Sequence, residues 1–288
     1  MKLPKKMKCI RILKYGGPEN LKYVYTDLPK INKNQLLIKV IASGVNRPDI
    51  LQRKGLYNPP QGASQLPGLE VSGKILQIGN NVKGFKINDK VCALTHGGGY
   101  AEYCSVHHKH VLIKPKGFNF IQAAAIPETF FTVWVNLFKI GKLKKNETVL
   151  IHGGSSGIGT TAIQMAKVNG SKVIITAGSE RKVKFCEELG SDLAINYNKN
   201  DFYEEVLKFT NKKGVDIVLD MIGGSYFNKN IGLLKDKGRH ITIAFLAGKT
   251  VTLDLQNIIK NRLILTGSTL RPRTDREKGE FANSLKKI

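Results

Sequence analysis

The glycine-rich segment IHGGSSGIG, residues 151–159, has the residue types and spacing of a loop that binds phosphate. Gly154, Gly157 and Gly159 are spaced G-x-x-G-x-G, which differs from the literal G-x-G-x-x-G fingerprint. The segment follows an apolar, strand-like stretch and precedes small and apolar residues typical of a helix. A tight turn at a helix N-terminus presents backbone N–H groups and the positive end of the helix dipole to a pyrophosphate. The alternative is a glycine-rich turn that serves only the packing of helix against sheet.

The segment VIITAGSERK, residues 173–182, is a second strand-like stretch, and it ends where the adenosine ribose of a dinucleotide would lie. Dinucleotide sites often place a carboxylate roughly 20 residues after the glycine loop, where it binds the ribose 2′-hydroxyl. This chain has Ser179, Arg181 and Lys182 there, which suit a 2′-phosphate and therefore predict NADPH rather than NADH. Glu180 counts against NADPH, and we expect it to point to solvent at the start of the next helix. The alternative is that the two basic residues form only a solvated helix face.

The order of apolar segments along the chain predicts an α/β protein with two domains. Residues 1–126 contain short β-rich segments separated by glycine and proline turns, which indicates an open β-barrel-like domain. Residues 128–143 have the pattern of an amphipathic helix and connector. Apolar strands then alternate with helical segments, which predicts a doubly wound parallel sheet within a domain at 127–267.

Length and composition narrow the class of protein. The chain has 288 residues, enough for two hydrophobic cores. No apolar run reaches the roughly 18 residues of a membrane-spanning helix, and the N-terminus lacks the apolar region of a secretory signal. The four cysteines, Cys9, Cys92, Cys104 and Cys186, have neither disulfide nor metal spacing. These features predict a cytoplasmic protein in a reducing compartment.

The formal net charge of +24 permits two interpretations. A strongly basic chain can bind nucleic acid or a membrane surface. The lysines are spread over the whole length, however, and the chain is also rich in Asn and Ile, which a genome-wide codon bias would produce without any partner. We favour the codon bias, while noting that a basic surface attracts anionic cofactors and substrates.

Several motifs together resemble the zinc-independent quinone oxidoreductases, the zeta-crystallin-like branch of the medium-chain dehydrogenase/reductase superfamily. The motifs are ASGVNRPDILQRKGLY (42–57), PGLEVSGKI (67–75), GGGYAEY (97–103), AAAIPETFFTVW (123–134), IHGGSSGIG (151–159) and NYN (196–198). The resemblance covers essentially the whole chain. It implies a GroES-like β-rich catalytic domain followed by a Rossmann domain, with NADPH in the cleft between them. It also implies a quinone or related α,β-unsaturated carbonyl as substrate, and a homodimer or homotetramer.

The zinc-dependent members of this superfamily carry a Cys and a His where this chain has Asn46 and Leu69. Catalytic zinc needs three protein ligands and one open position. We therefore predict no metal site and a zinc-independent reaction. Four histidines lie in the β-rich half: His96, His107, His108 and His110. We interpret them as surface or core residues, because the sequence around them shows no pattern of acidic partners.

The resemblance also implies roles for individual residues. Asn46 would bind near the nicotinamide ribose or the substrate carbonyl, Tyr57 would donate a hydrogen bond to a developing oxyanion, and Thr132 would approach the nicotinamide carboxamide. The predicted catalytic residues are these three. The predicted cofactor-binding residues are Asn46, Thr132, Gly154, Ser155, Ser156, Gly157, Ile158, Gly159, Ser179, Lys182, Tyr197 and Phe245. For Tyr57 the alternative is a packed ring in a simple turn.

The C-terminal segment departs from the family pattern. The family's chain continues through a further helix and strand that return to the catalytic domain, whereas this sequence stops at FANSLKKI, residues 281–288. We therefore expect residues 268–288 to be a shortened return that leaves a strand edge unpaired. Two other functions are considered: an enoyl-thioester reductase of the same superfamily, and a non-catalytic RNA-binding protein that uses the lysine-rich surface.

Overall fold

The computed structural model describes residues 3–286, which fall into two compact units. Unit 1 contains residues 3–131 together with residues 271–286. Unit 2 contains residues 132–270. The C-terminal segment therefore belongs to the same unit as the N-terminal β-rich region.

Unit 1 is built on two antiparallel sheets. The strands are β1 (Lys6–Ile12), β2 (Leu21–Asp27), β3 (Gln35–Ser43), β4 (Glu70–Ile78), β5 (Lys90–Leu94), β6 (Tyr103–His107) and β7 (Val111–Ile113). β1 pairs with β2, and the other five form a sheet in the order β6-β3-β4-β5-β7. Along β3, β4 and β5, β-branched and other apolar residues bury one shared core that includes Ile38, Val71, Ile75 and Val91.

Three short helices accompany this sheet: one lies between β3 and β4 in the chain, and two follow β7. They are α1 (Arg47–Arg53), α2 (Phe120–Ala124) and α3 (Pro127–Val133), and a π-helical segment, Trp134–Ile140, continues α3. A helix over 128–143 was predicted, and the structure confirms helical backbone there. The second half differs from an α-helix, because its backbone hydrogen bonds join residues five apart instead of four, as between the Gly141 N–H and the Asn136 carbonyl.

Unit 2 contains a six-stranded, all-parallel sheet in the order β10-β9-β8-β11-β12-β13. Its strands are β8 (Thr148–His152), β9 (Lys172–Ala177), β10 (Leu193–Asn196), β11 (Val215–Asp220), β12 (Leu234–Thr242) and β13 (Ile264–Gly267). The strand order reverses between β8 and β11, which is the position where doubly wound sheets bind ligands. The predicted fold class, a GroES-like β-rich unit plus a Rossmann-like parallel sheet, is confirmed.

The helices of unit 2 connect successive strands. They are α4 (Gly157–Val168), α5 (Glu180–Glu188), α6 (Phe202–Phe209), α7 (Tyr226–Leu233) and α8 (Gln256–Lys260). All five residues of β8 are buried, and β9 and β11 are nearly so, which explains their continuous apolar sequences. The core formed on these strands includes Leu150, Ile174 and Val218, covered by Phe202 and Ile231.

The last helix, α9 (Asp275–Leu285), lies in unit 1 beside the 3₁₀ turn His108–His110. Its N-terminus is closed by a capping box. The Thr274 hydroxyl oxygen accepts from the Glu277 N–H, and the Glu277 carboxylate accepts from the Thr274 N–H. Among residues 3–286, no helix combines the length and hydropathy that membrane crossing requires.

Candidate active site

The glycine loop of unit 2 is held tightly against the start of α4. The Gly154 N–H donates to the Thr176 carbonyl at 2.9 Å, which ties the loop to β9. The Ser156 hydroxyl caps α4 by accepting from the Gly159 N–H at 3.0 Å. A Cβ at Gly159 would lie 2.3 Å from the Gly153 carbonyl oxygen, so only glycine permits this approach. The loop therefore presents backbone N–H groups at a helix N-terminus beside the reversal of strand order.

The carboxyl ends of β9 and β10 bring two of the predicted cofactor residues together. Ser179 is the N-cap of α5, directly after β9, and Tyr197 directly follows β10. Gly178 lies against the Tyr197 ring. A Cβ added at this position would be 2.6 Å from the phenol oxygen, so a side chain there would displace the ring. The Asn198 side chain donates to the Gly178 carbonyl at 2.9 Å and fixes the two loops to each other.

Glu180, at this edge of the sheet, has two partners that the sequence did not predict. Glu180 is exposed, but it does not simply point to solvent: its carboxylate accepts from Asn196 Nδ2 at 2.7 Å and pairs with Lys199 Nζ at 3.1 Å. These two contacts, the Asn196 hydrogen bond first, lower the pKa of Glu180. Arg181 and Lys182 are exposed, and within residues 3–286 their side chains have no hydrogen bond or ion pair. The acidic group is thus partly neutralised, while two cations remain available.

The other predicted residues of unit 2 lie in separate places. Phe245 is 59% exposed in the loop that follows β12, where its carbonyl accepts from the Gly248 N–H. Thr132 is half-buried near the end of α3, and its carbonyl accepts from Asn136 Nδ2 at 2.8 Å. Asn136 in turn accepts from the Ser268 hydroxyl at 2.9 Å, which ties the π-helical segment to the loop after β13. The roles assigned to Phe245 and Thr132 stay predictions.

A buried polar network beneath the glycine loop was missed by the sequence analysis. Asp220, at the end of β11, accepts from Asn230 Nδ2 at 3.2 Å and from His240 Nε2 at 3.1 Å. His152, at the end of β8, contacts Asn230 Oδ1 at 2.7 Å and the Thr176 hydroxyl at 3.0 Å. Burial would raise the pKa of Asp220, but the His240 hydrogen bond reverses this and lowers it. The network fixes the ends of the strands that flank the switch point.

In unit 1, Asn46 is held by a chain of buried carboxyl groups. Its Nδ2 donates to Glu70 Oε1 at 2.8 Å, and Glu70 Oε2 accepts from the Glu128 N–H at 2.9 Å. The Asn46 N–H donates to Asp49 Oδ2 at 2.9 Å, which fixes the residue at the start of α1. Gly44 leaves the space for Glu70, since a Cβ there would lie 2.0 Å from Glu70 Oε1. The orientation of the Asn46 amide is therefore set by Glu70.

Burial perturbs the titration of these carboxyl groups. The pKa of Glu70 rises to about 7, mainly through desolvation, against the opposing hydrogen bonds from Glu128 and Asn46. The pKa of Glu128 rises to about 8, through burial and then the nearby charge of Glu70. Burial also raises the pKa of Asp49. Because neighbouring carboxylates disfavour double ionisation, this group retains a proton near neutral pH.

Tyr57 packs against a buried arginine that the sequence analysis did not single out. The Arg271 guanidinium carbon lies 5.6 Å from the Tyr57 ring centroid, within the range of a cation–π contact. Arg271 is 4% exposed and donates to the His96 carbonyl through Nε and Nη2. Burial raises the pKa of Tyr57 despite the Arg271 charge, and the Glu128 carboxylate raises it further. Tyr57 therefore keeps its proton and can act as a hydrogen-bond donor. The motif STLRPR carries Arg271, but nothing local indicated its partner.

We expect Glu128→Gln to stabilise the protein at alkaline pH. The folded pKa of Glu128 is raised, so the folded state keeps a proton that the unfolded chain releases above its ordinary pKa of 4.5. Stability from this group is therefore present below pH 4.5 and is lost as pH rises to about 8. The unfolding free energy of the variant should exceed that of the parent by on the order of 2 kcal/mol at pH 9, with little difference at pH 4.

Denaturant unfolding at the two pH values measures this difference. Glu188→Gln, on an exposed part of α5, is the matched control for the loss of one carboxylate. A variant that is equally or less stable than the parent at pH 9 would contradict the assignment of Glu128 as a destabilising buried acid.

Three of the four histidines lie around one carboxylate, although the sequence predicted surface or core residues without acidic partners. Asp275, the first residue of α9, lies 3.3 Å from His96 Nε2 and 3.2 Å from His110 Nε2. His107 Nε2 lies 3.9 Å from the same carboxylate. Burial lowers the pKa of His96 to about 4 and also lowers that of His110. The expectation of no acidic partner was wrong because the partner comes from a segment far along the chain.

Comparison with known proteins agrees with this architecture. Residues 32–116 match the alcohol dehydrogenase GroES-like domain, and residues 157–286 match the family described as zinc-binding dehydrogenase. The quinone oxidoreductase of Homo sapiens is 32% identical over 285 residues, which cover 98% of this chain and 85% of the human protein. The structure of Escherichia coli quinone oxidoreductase complexed with NADPH is 28% identical, with a TM-score of 0.82 over 96% of this chain and 86% of that one.

A third similar structure is the CurK enoyl reductase, with 28% identity and a TM-score of 0.85 over 99% of this chain and 88% of that one. The fold and these matches define an oxidoreductase of the medium-chain dehydrogenase/reductase superfamily. Within that superfamily, the chain belongs to the quinone oxidoreductase family.

Proposed function

We propose that the protein is an NADPH-dependent, zinc-independent oxidoreductase that transfers a hydride to a quinone or a related α,β-unsaturated carbonyl. The observation that carries the proposal is the group at the former metal position. Asn46 stands there with its amide fixed by Glu70 at 2.8 Å, and Leu69 is a buried apolar side chain that offers no ligand atom. This arrangement suits polarisation of a carbonyl by a hydrogen-bonding group rather than by a metal ion.

The residues of this chain would supply binding, orientation and a proton. When bound, the nicotinamide supplies the hydride. Tyr57, which remains protonated, would donate a hydrogen bond to the substrate oxygen as negative charge develops there. The Glu70–Glu128 pair holds a proton near neutral pH and lies one hydrogen bond from Asn46. Addition of one hydride and one proton then gives the reduced carbonyl compound.

The glycine loop and the edge formed by β9 and β10 would bind the cofactor. The N–H groups of Gly154 and Gly159 already donate within the protein. The N–H groups of Ser155, Gly157 and Ile158 would therefore bind the pyrophosphate, as helix N-termini commonly do. Ser179, Lys182 and Tyr197 would surround the adenosine 2′-phosphate, with Arg181 close by. The negative charge of Glu180 repels a 2′-phosphate only weakly, because its carboxylate is already paired with Lys199 and hydrogen-bonded by Asn196.

We expect NADPH to bind at least about tenfold more tightly than NADH, a difference of about 1.4 kcal/mol. The double variant Arg181→Ala, Lys182→Ala should lose most of this preference, because both cations favour a phosphate and neither has a partner within residues 3–286. Isothermal titration with each cofactor measures the four dissociation constants. Lys184→Ala removes a cation from an exposed position of the same helix and should leave the ratio unchanged. Equal affinities of the parent for the two cofactors would refute NADPH preference.

The activity is tested by NADPH oxidation with a panel of quinones, enones and enoyl-CoA thioesters. A kcat/KM that is highest for quinones or enones supports the proposal. The likeness to an enoyl reductase makes the enoyl-thioester reductase the second candidate, and a preference for thioesters would establish it. Activity that survives extensive chelation supports zinc independence. Activity that is lost on chelation while circular dichroism shows an intact fold, and that returns with zinc, would contradict it.

We further propose that the enzyme acts in the cytoplasm as a homodimer or homotetramer on a small-molecule substrate. We propose no membrane partner, and a nucleic-acid partner is the less favoured alternative. The helices described over residues 3–286 include none that could cross a membrane, and the charge of +24 is spread along the chain. Light scattering measures the oligomer. Salt-dependent RNA binding that survives saturating NADPH would instead support the RNA-binding alternative.

A further inference from the structure

A second cluster of chemically capable side chains lies in unit 1. It adjoins Thr95, whose N–H donates to the Leu69 carbonyl at 2.7 Å, but it shares no residue with the group around Asn46. It consists of His96, His110 and Asp275, whose ligand-type atoms all lie within 4.8 Å of one another. Asp275 Oδ1 is 3.3 Å from His96 Nε2 and 3.2 Å from His110 Nε2. Ligand atoms that bind one Zn²⁺ tetrahedrally at about 2.1 Å are separated by about 3.4 Å, so two of the three separations already fit a metal centre.

The state of His110 provides an independent observation. This side chain is 1% exposed, and its Nε2 is buried without a hydrogen-bond partner. The neighbouring Asp275 carboxylate, at 3.2 Å, forms an ion pair with this nitrogen only when the imidazole ring is protonated. A buried ring nitrogen without a partner costs free energy, because its interaction with water is lost and not replaced. A metal ion between His110 and Asp275 would satisfy that nitrogen.

The cluster is also accessible and can gain further ligands. A cavity of about 1020 Å³ is lined by all three residues and by His107. His107 Nε2 lies 3.9 Å from Asp275 Oδ2, so a small rotation of the ring would bring it towards the centre. The cavity gives an ion a route to the cluster and gives a water molecule space to complete the coordination.

We propose that His96, His110 and Asp275 form a binding site for a divalent transition-metal ion, with His107 or water as a further ligand. Imidazole nitrogen and one carboxylate select Zn²⁺, Co²⁺ or Ni²⁺ over Mg²⁺ and Ca²⁺, which prefer oxygen ligands alone. The ion links the first turn of α9 to the turn after β6, and so stabilises the attachment of the C-terminal helix. It has no part in the proposed hydride transfer.

Lys278 opposes this site and provides a sharp test of it. Its amino group is fully buried and donates to the Arg271 carbonyl at 2.8 Å. It lies 3.1 Å from His96 Nδ1 and 3.3 Å from His96 Nε2, the proposed ligand atom. An ammonium group at this distance repels a divalent cation. Lys278→Gln removes the charge and keeps a polar side chain, so it should strengthen metal binding. A cluster that served only to dock α9 through hydrogen bonds would give no such gain.

The test uses the full chain, stripped of metal by chelation and dialysis, and titrates it with Zn²⁺ by calorimetry and with Co²⁺ by visible absorption. We expect about one ion per chain, with Co²⁺ bands that report nitrogen and oxygen ligands. Asp275→Asn and His110→Ala should each weaken binding about tenfold or more, and Lys278→Gln should strengthen it about tenfold. His108→Ala is the matched control, because this neighbouring histidine lies outside the cluster.

Thermal unfolding gives a second readout. Zn²⁺ should raise the Tm of the parent and of His108→Ala, but not that of Asp275→Asn, since only an ion bound to the folded state stabilises it. Asp275→Asn nearly preserves the shape of a half-exposed side chain, so the test stands even if His110→Ala does not fold. Absence of stoichiometric binding by the parent would overturn the proposal. Binding that survives in Asp275→Asn or fails in His108→Ala would also overturn it.

Discussion

Asn46→Ala is expected to lower kcat/KM for quinones about 100-fold while changing the Kd for NADPH less than about threefold. The amide of Asn46 is fixed by Glu70 at 2.8 Å, so it is already oriented when substrate arrives. A hydrogen-bond donor that is oriented in advance stabilises the negative charge on the substrate oxygen without any rearrangement of the site. Truncation of the Asn46 side chain to Ala removes that donor completely. Steady-state kinetics and cofactor titration measure the two quantities separately. Tyr57→Phe should lower kcat/KM as well, because it removes the proposed donor to the same oxygen.

Two further variants separate catalysis from structure. Asn119→Ala removes another asparagine of unit 1 that caps a helix, through Gln122 N–H at 2.8 Å, and should leave kcat/KM unchanged. Glu70→Gln keeps the volume but can accept only one of the two hydrogen bonds that Glu70 accepts. We expect it to lower kcat/KM about tenfold and to flatten the pH profile near pH 7, where Glu70 titrates. Parent-like kinetics in Asn46→Ala would end the proposed role of this residue.

Gly159→Ala is expected to weaken NADPH binding by about 100-fold. Its added methyl group would lie 2.3 Å from the Gly153 carbonyl oxygen and 2.5 Å from that of Gly154. Neither atom belongs to a flexible side chain, so the glycine loop itself would have to move away from the start of α4. That movement displaces the backbone N–H groups proposed to bind the pyrophosphate.

The matched control is Gly232→Ala, in the last turn of α7 in the same unit. Its Cβ would meet the edge of the Tyr203 ring at 3.1 Å, a contact that a side chain can relieve. Circular dichroism and Tm establish that both variants fold, and titration calorimetry measures NADPH binding. NADPH affinity that is equal in Gly159→Ala and the parent would show that the loop does not bind the cofactor.

The sequence by itself determined the elements and their class. The apolar run TVLIH, the loop GGSSGIG and the helix after it are adjacent in the chain, so their periodicity and glycine spacing predict a strand, a turn and a capped helix without knowledge of anything distant. Ser179 was predicted from its distance along the chain after the glycine loop, and the family motif NYN supplied Tyr197. The family motifs supplied Asn46.

The tertiary structure alone decided which groups act on one another. Asn46 meets Glu70 across 24 residues, Glu70 meets Glu128 across 58, and His96 meets Asp275 across 179. Contacts between residues so far apart along the chain produce no repeating pattern in the sequence, because they depend on how strands pair and where a helix packs. Burial then sets the charges: the same carboxyl group is an ordinary acid on a helix surface and retains its proton near neutral pH when desolvated beside another.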